Sequence, residues 1–330
     1  MAFSVGIGLT NECDLRCPHC YRPDATVDRL SLETVRRVVA ALPVASMNLG
    51  VGENGLHPEY RAVLDFLAER RIKTSITSNG TSIARLADAE VKRFNSIEFS
   101  LDFPTASEHD AFRGPGNWRA VLAGLERCCE LGVPVGITTV LMRINVRQVP
   151  GLVEVARRAG AYLRVNVYQP AKVDTFTLTY EEFWGVFRAL ADVSRLVATT
   201  EPVLAGVLEL PGFAGPGCGR STVRVAPDGR ILPCTYWPTS TLRLDALETL
   251  GEAIVETPEF VAARRIPDRC AGCPCRGGCA GRQALLGALG APDPYCPFAR
   301  GQRVRLEWPR ATAGDLPKVG SACTTVVAPA

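Results

Sequence analysis

The sequence predicts an α/β protein, a partial (β/α)6 barrel followed by a smaller cysteine-rich region of one hairpin and short helices. Between residues 3 and 168, six short apolar segments alternate with helix-length segments that carry apolar residues on one face. Strands separated by helices of this length form right-handed βαβ units with a parallel sheet. Six units are two short of a closed eightfold barrel. We therefore expect a partial barrel with its active site at the carboxyl ends of the strands.

The predicted strands begin with the apolar run at residues 3–9. The next five predicted strands are at residues 45–49, 74–77, 97–101, 135–141 and 163–168. Ser31 opens the first helix, and later helices are predicted at residues 60–70, 83–93, 118–131 and 149–159. These elements place the barrel domain within residues 1–175.

After the barrel, the pattern changes. Thr179 to Val197 predicts an amphipathic helix with a capping box formed by Thr179 and Glu182, and residues 176–210 are interpreted as a connector. Asp228-Gly229 predicts a hairpin turn, followed by helices near residues 247–256 and 260–264. We expect an auxiliary domain at residues 211–305 and, because residues 306–330 lack a clear period, a C-terminal tail.

Composition excludes several classes of function. Hydrophobic residues make up 47% and charged residues 22% of the 330, as in an ordinary globular protein. A net charge of +3 gives no reason to expect nucleic acid or an anionic membrane as a partner. No apolar run is long enough for a membrane-spanning helix, and the N-terminus lacks a secretory signal pattern. We therefore expect a cytoplasmic protein.

The 13 cysteines are clustered, with three within residues 13–20 and five within residues 270–296. Disulfides are rare in a reducing cytosol, so this clustering favours metal binding. With three histidines in the chain, a zinc enzyme built on histidine ligands is disfavoured. Cys13, Cys17 and Cys20 form a CxxxCxxC triplet directly after the first strand. Three thiolates can hold three irons of a cubane cluster and leave the fourth iron open to another ligand. A zinc site and packed free thiols are the alternative interpretations of the triplet.

The triplet resembles the signature of the radical S-adenosylmethionine (SAM) family, with His19 where an aromatic residue usually stands. The resemblance implies a [4Fe–4S] cluster whose open iron is chelated by SAM. In that family, an electron from the cluster cleaves SAM to methionine and a 5′-deoxyadenosyl radical, which removes a hydrogen atom from substrate. A flavodoxin or ferredoxin-type protein is the implied electron donor.

Further motifs of the family follow in order. Val51-Gly52-Glu53-Asn54 resembles the GGEP stretch that holds the SAM amino group, and it retains Gly52 and the acidic Glu53. Polar residues after the middle strands are the implied contacts of the SAM ribose and carboxylate, with a turn or cap role as the alternative for each. These candidates are Ser78, Asn79, Ser100, Asp102 and Arg143. The backbone of residues 167–169 is expected to face adenine.

The later cysteines are similar to the SPASM domain, which holds auxiliary iron–sulfur clusters in many radical SAM enzymes. The resemblance implies one auxiliary [4Fe–4S] cluster on Cys218, Cys234 and Cys279. A second is implied on Cys270, Cys273, Cys275 and Cys296. The spacer between Cys273 and Cys275 is shortened to Pro274, so a single auxiliary cluster on Cys218, Cys234 and two of the later cysteines remains an alternative. Because CxxC pairs also bind zinc, a zinc knuckle is another alternative.

Fuller members of that family add one more cysteine shortly after the first. Residues 219–233 contain none, which predicts an open iron in the first auxiliary cluster. Cys128 and Cys129 lie in a predicted helix and are expected to be buried structural thiols. Cys323 is assigned no role.

These features predict a radical SAM enzyme that oxidises, epimerises or forms a bond in its substrate. Because the triplet begins at residue 13, we expect that no leader-recognition domain is fused before it. This favours a small natural-product intermediate such as a sugar, aminocyclitol or nucleoside. Maturation of a ribosomally made peptide is the alternative, and a non-catalytic iron–sulfur or zinc-binding protein is the alternative from another class.

Overall fold

A computed structural model describes residues 2–22, 26–311 and 323–330. Within them, ten strands form one sheet in the order β7-β10-β6-β5-β4-β3-β2-β1-β8-β9. The strands are β1 Phe3–Ile7, β2 Val44–Leu49, β3 Lys73–Ser78, β4 Ser96–Ser100, β5 Val135–Leu141, β6 Tyr162–Val167, β7 Ser194–Thr199, β8 Thr222–Val225, β9 Ile231–Leu232 and β10 Thr325–Pro329.

Twelve α-helices connect and cover these strands in the described parts of the chain. They are α1 Leu32–Ala41, α2 Tyr60–Glu69, α3 Thr81–Ala84, α4 Asp88–Val91, α5 Ala106–Arg113, α6 Asn117–Glu130, α7 Val149–Arg158, α8 Tyr180–Val193, α9 Pro202–Val207, α10 Leu244–Leu250, α11 Pro258–Ala262 and α12 Ala280–Leu285. None of them combines the length and apolarity that a membrane span requires.

The first six strands form the predicted parallel array. Each pairs in parallel with the next along the chain, and Ile7 of β1 lies opposite Leu49 of β2. Both of these side chains are fully buried, as is Ile76 of β3, because the helices cover the outer face of the sheet. The predicted α/β class with consecutive parallel strands is confirmed. One predicted helix, at residues 83–93, is instead two short helices, α3 and α4.

Strands from the C-terminal part of the chain extend this array at both ends. At one end, β8 pairs in parallel with β1, and β9 pairs antiparallel with β8 through the predicted turn, where Gly229 has a φ of 82°. At the other end, β10 lies antiparallel between β6 and β7. The parallel array thus has no unpaired edge at either β1 or β6.

Two expectations for this part of the chain need correction. The helix predicted to Val197 ends at Val193, and the chain continues directly into β7, where Leu196 is buried. The predicted tail at residues 306–330 contains β10, whose Val326 and Val327 are buried in the sheet. Residues 312–322 of that tail lie outside the described residues.

Candidate active site and thiol clusters

A cavity of about 210 Å³ opens at the carboxyl ends of the parallel strands. Its walls come from the loops after β1 and β2, the ends of β3 and β4, and the inner faces of β5 and β6. Tyr236 of the C-terminal region lines the same cavity, and its ring meets that of Tyr21 edge-on at 5.4 Å. The cysteine-rich region therefore forms part of the cavity wall.

The three cysteines of the triplet all line this cavity and are half-buried. Their loop is compact because the Arg22 guanidinium donates to the carbonyl oxygens of Asn11 and Leu15, at 3.1 and 2.8 Å. Burial raises the pKa of Cys13 to about 12, and metal binding would require this thiol to release its proton. The loop thus offers three sulfur donors to one space.

Glu53 lies 1% exposed at the wall of the cavity and connects three loops. One carboxylate oxygen accepts hydrogen bonds from the Ser78 hydroxyl at 2.6 Å and the Ser82 N–H at 2.7 Å. The other accepts the Asn79 N–H at 2.9 Å, and the Glu53 N–H donates to the Glu12 carbonyl at 2.7 Å. Burial raises the pKa of Glu53, and these hydrogen bonds oppose the shift because they stabilise the ionised form.

Two consecutive residues before Glu53 have a left-handed backbone. Val51 has a φ of 68° and Gly52 a φ of 58°. A Cβ on Gly52 would lie 2.5 Å from the carbonyl oxygens of Thr10 and Glu12, so a side chain is excluded there. A β-branched residue is rare in this conformation, and Val51 stands where the GGEP motif has glycine. The strained turn brings its backbone against the triplet loop.

Asp102 is completely buried and lies outside the residues that line the cavity. It accepts from Arg113 Nε at 2.7 Å and from the Val140 N–H at 2.9 Å. Burial opposes its ionisation, but the charges of Arg113 and His19 and the hydrogen bonds from Arg113 and the Val140 N–H together outweigh burial and lower the pKa of Asp102 to about 2. His19 Nε2 lies 3.8 Å from Asp102, and burial lowers the pKa of His19 to about 4. Asp102 therefore holds two residues that do line the cavity, Arg113 and His19.

The other residues expected to contact SAM divide into two groups. Gly52, Ser78, Asn79 and Ser100 line the cavity together with Glu53. Arg143 does not, because its half-exposed side chain turns to Glu182 at a distance of 3.2 Å.

Several polar residues that line the cavity were not predicted. Arg164 and Asn166 lie on β6 two positions apart, and Asn48 and Thr138 lie on β2 and β5. Arg164 forms a buried ion pair with Glu98 at 2.6 Å. Polar residues at alternate positions of otherwise buried strands are a signal that could have found this inner face. Among the described residues, Arg164 Nη1, Asn166 Oδ1 and Gln169 Oε1 are buried without a hydrogen-bond partner.

The C-terminal cysteines form two groups. In the second group, the sulfur atoms of Cys273, Cys275 and Cys296 all lie within 4.8 Å of one another. Cys270 lies near them and interacts electrostatically with Cys273 and Cys296. In the first group, Cys218 contacts Cys234, and Cys279 contacts a residue that was assigned no role, Cys323, at 3.6 Å between sulfur atoms.

The remaining cysteines lie on α6. Cys128 is buried as expected, whereas Cys129 is exposed, since it occupies the next position along the helix and faces outward.

The sequence profile of the Radical SAM superfamily matches residues 7–156, which hold both the triplet and the Glu53 turn. Residues 7–156 therefore form a radical SAM domain. It is 26% identical to the PqqA peptide cyclase of Methylobacterium sp. (strain 4-46), over 87% of this chain and 84% of that protein. It is also 26% identical to the mycofactocin maturase MftC of Mycolicibacterium smegmatis, over 87% of this chain and 81% of that protein.

Solved structures share the fold of this radical SAM protein. SuiB of Streptococcus suis, bound to its precursor peptide SuiA, superposes with a TM-score of 0.65 at 16% identity, over 90% of this chain and 76% of that one. The native anSMEcpe with bound AdoMet and Kp18Cys peptide gives a TM-score of 0.70 at 17% identity, over 91% of this chain and 95% of that one. Both matches span the barrel and most of the C-terminal region.

The radical SAM family binds a [4Fe–4S] cluster and SAM, and the donor set of the cavity fits both. Three thiols face one space, Gly52 leaves room for a close backbone approach, and unpartnered polar atoms line the inner wall. The two C-terminal groups supply further thiols. A zinc ion with Zn–S bonds of about 2.3 Å would place its sulfurs roughly 3.8 Å apart, which also fits the sulfur separations of up to 4.8 Å in the second group. Metal content is therefore the measurement that distinguishes iron from zinc there.

Proposed function

We propose that this radical SAM enzyme modifies a ribosomally made peptide. The observation that carries the proposal is similarity along most of the chain to a peptide cyclase and a mycofactocin maturase, at 84% and 81% coverage of those proteins. It extends into the cysteine-rich region, beyond the part that all radical SAM proteins share. We therefore favour a peptide substrate over the small natural product that the sequence first favoured.

In this proposal, Cys13, Cys17 and Cys20 hold the catalytic cluster, and SAM occupies the adjoining cavity. The bound cluster supplies the electron that cleaves SAM and generates the radical that removes a hydrogen atom from the peptide. Glu53 fixes the loops after β1, β2 and β3, so that the backbone at Gly52 meets the SAM amino group. Asn79 and Ser100 contact SAM from the wall, and Asp102 keeps His19 and Arg113 in place.

The unpartnered polar atoms on β6 fit a polar ligand at the base of the cavity. Arg164 uses Nε for its bond to Glu98, which leaves Nη1 to donate to a carboxylate or a peptide carbonyl. Asn166 Oδ1 and Gln169 Oε1 are acceptors for an N–H or a hydroxyl group. Since a buried polar group without a partner costs about 1–3 kcal/mol, a ligand that satisfies these atoms gains affinity.

The two C-terminal cysteine groups fit an oxidative outcome. We propose that they hold auxiliary iron–sulfur clusters. Bound there, such a cluster would accept the one electron that, together with one proton, must leave the substrate when a bond forms after hydrogen abstraction. This is a net two-electron oxidation, which a cross-linking enzyme requires. Burial and hydrogen bonds around the cysteines set the potential of such clusters.

Metal content and SAM cleavage test the catalytic part of the proposal. The protein, purified and reconstituted without oxygen, should hold roughly 12 irons per chain if it has three four-iron clusters, and Cys17→Ala should lose about four. Dithionite-reduced enzyme should form 5′-deoxyadenosine from SAM, and Cys17→Ala should form none. Cys129→Ala, which removes an exposed thiol, is the matched control and should match the wild type. Zinc without iron, or 5′-deoxyadenosine from Cys17→Ala at the wild-type rate, would sink the radical mechanism.

The substrate class needs a separate measurement. Synthetic peptides encoded by small open reading frames beside the gene should change mass in the presence of enzyme, SAM and reductant, as measured by mass spectrometry. Cys270→Ala should still cleave SAM without coupling but should lose the modified peptide, because it removes an auxiliary ligand. Peptides that remain unchanged while a sugar or nucleoside is consumed would favour the small-molecule alternative.

A further inference from the structure

The first group of C-terminal thiols contains four cysteines rather than the expected three. Cys323 Sγ lies 3.6 Å from Cys279 Sγ, and its thiol also interacts with that of Cys218. Cys218 in turn contacts Cys234. The four residues come from places far apart in the sequence, so their meeting is a property of the fold.

The sheet fixes the position of Cys323. The next residue, Thr324, donates its N–H to the Thr200 hydroxyl at 3.0 Å and accepts the Thr200 N–H at 2.8 Å. The following residue begins β10, which is hydrogen-bonded on both sides, to β6 and to β7. Cys323 therefore lies two residues before β10, next to Thr324, whose backbone is hydrogen-bonded to Thr200.

Helix α12 packs closely against these thiols. A Cβ on Gly281, at the start of α12, would lie 2.9 Å from Cys234 Sγ. Cys279 directly precedes α12, and its N–H donates to Asp293 at 2.8 Å. Close approach of this helix brings the thiol pair of Cys218 and Cys234 against the pair of Cys279 and Cys323.

We propose that Cys323 is the fourth protein ligand of the auxiliary cluster held by Cys218, Cys234 and Cys279. The inference rests on the proposed iron–sulfur function and corrects the expected open iron. Sites with four protein ligands are closed, whereas catalytic sites keep one position open. This cluster therefore transfers electrons and does not bind the peptide directly.

The test uses a full-length background variant in which Cys13, Cys17 and Cys20 are all alanine, so that iron reports the auxiliary sites alone. It should hold roughly eight irons per chain. With Cys323→Ala added, mild oxidation should release one iron per chain and give the electron paramagnetic resonance signal of a three-iron cluster. Cys129→Ala in the same background should give neither, and Cys218→Ala should reproduce the effect.

Alkylation tests the ligand without a variant that might misfold. Iodoacetamide reacts with free, accessible thiolates, so Cys323 in the iron-loaded wild type should react at least about tenfold more slowly than after removal of iron by a chelator. Mass spectrometry of the peptide that contains Cys323 gives the rate. Cys129 serves as the internal control, because its exposed thiol should react equally in both states.

An unchanged iron count and spectrum in Cys323→Ala, with a clear effect of Cys218→Ala, would overturn the assignment. Equal alkylation of Cys323 before and after iron removal would do the same. Zinc in place of iron in the background variant would overturn both this inference and the iron–sulfur part of the proposed function. The iron count, the spectrum and the alkylation rate do not depend on SAM cleavage or on the substrate. Failure of the peptide assay alone would therefore leave the Cys323 result standing.

Discussion

Arg282→Met should destabilise the protein strongly, because Arg282 neutralises two buried carboxylates. Its guanidinium donates to Glu201 at 2.9 Å and to Asp293 at 2.7 Å, and the three side chains are at most 2% exposed. Asp293 also accepts the Cys279 N–H, so the network extends to the first thiol group. Methionine fills similar space without charge, which isolates the electrostatic effect.

The magnitude follows from the burial of the network. Removing one partner of a buried ion pair leaves an uncompensated charge and costs about 3–5 kcal/mol. Here one cation serves two anions, so we expect the upper part of that range. For a chain of this size, the melting temperature should fall by roughly 5–10 °C.

Thermal melting followed by circular dichroism, on anaerobic protein of matched metal content, measures the effect. Arg37→Met is the matched control, since Arg37 pairs with Glu248 at 2.6 Å while its side chain is 40% exposed. An exposed pair of this kind contributes little to stability, because solvent screens its charges. Equal melting temperatures for the two variants would refute the reasoning.

The pH dependence gives a second check. Burial raises the pKa of Glu201 from 4.5 to about 7, although Arg282 opposes the shift. Because the folded-state pKa lies above the unfolded one, the stability that protonation contributes is complete below pH 4.5 and is lost as the pH rises through 7. Without Arg282 the shift should grow. The gap between Arg282→Met and wild type should therefore widen from pH 5 to pH 8, and a gap that narrowed would contradict the sign.

Three further predictions concern single positions. Gly281→Ala should lose about four irons, measured by elemental analysis, because its Cβ would meet Cys234 Sγ at 2.9 Å. Gly185→Ala on α8, where a Cβ meets nothing within 4 Å, should keep its iron and gain up to about 1 kcal/mol of stability. Glu53→Gln should weaken SAM binding about 10- to 100-fold in equilibrium dialysis, because the amide cannot accept all three hydrogen bonds that the carboxylate accepts. Glu126→Gln, at an exposed position, is the control. Glu98→Gln should cost about 3–5 kcal/mol in chemical unfolding by stranding Arg164, and a loss below 1 kcal/mol would count against a buried ion pair.

The sequence predicted those parts of the fold that repeat a local pattern. The six parallel strands were predictable, because each is a short apolar run followed by a helix with one apolar face. The cavity was predictable in position, since the triplet follows β1 and the Glu53 turn follows β2. For the contacts of individual residues with SAM, the sequence gives predictions that direct binding measurements must test.

What could not be predicted depends on contacts between distant parts of the chain. β10 is five residues long, and its neighbour β7 lies more than 120 residues earlier, so no local pattern announces the pairing. Cys323 acquires neighbours only through that strand. Arg143 follows β5 as expected, but its side chain turns to Glu182 on α8. Sequence spacing shows which end of a strand a residue follows and does not show where a loop directs its side chain.

The strands that extend the parallel array bear on whether the barrel can stand alone. Both β1 and β6 pair with strands that lie beyond residue 175, β8 on one side and β10 on the other. A fragment cut at residue 175 would expose two rows of unpaired backbone N–H and C=O groups, which is a template for aggregation. The half of the chain that carries the triplet thus depends on the cysteine-rich region for its solubility. A change that prevents the cysteine-rich region from folding should remove the whole enzyme from solution, rather than leave a soluble barrel that cleaves SAM without product.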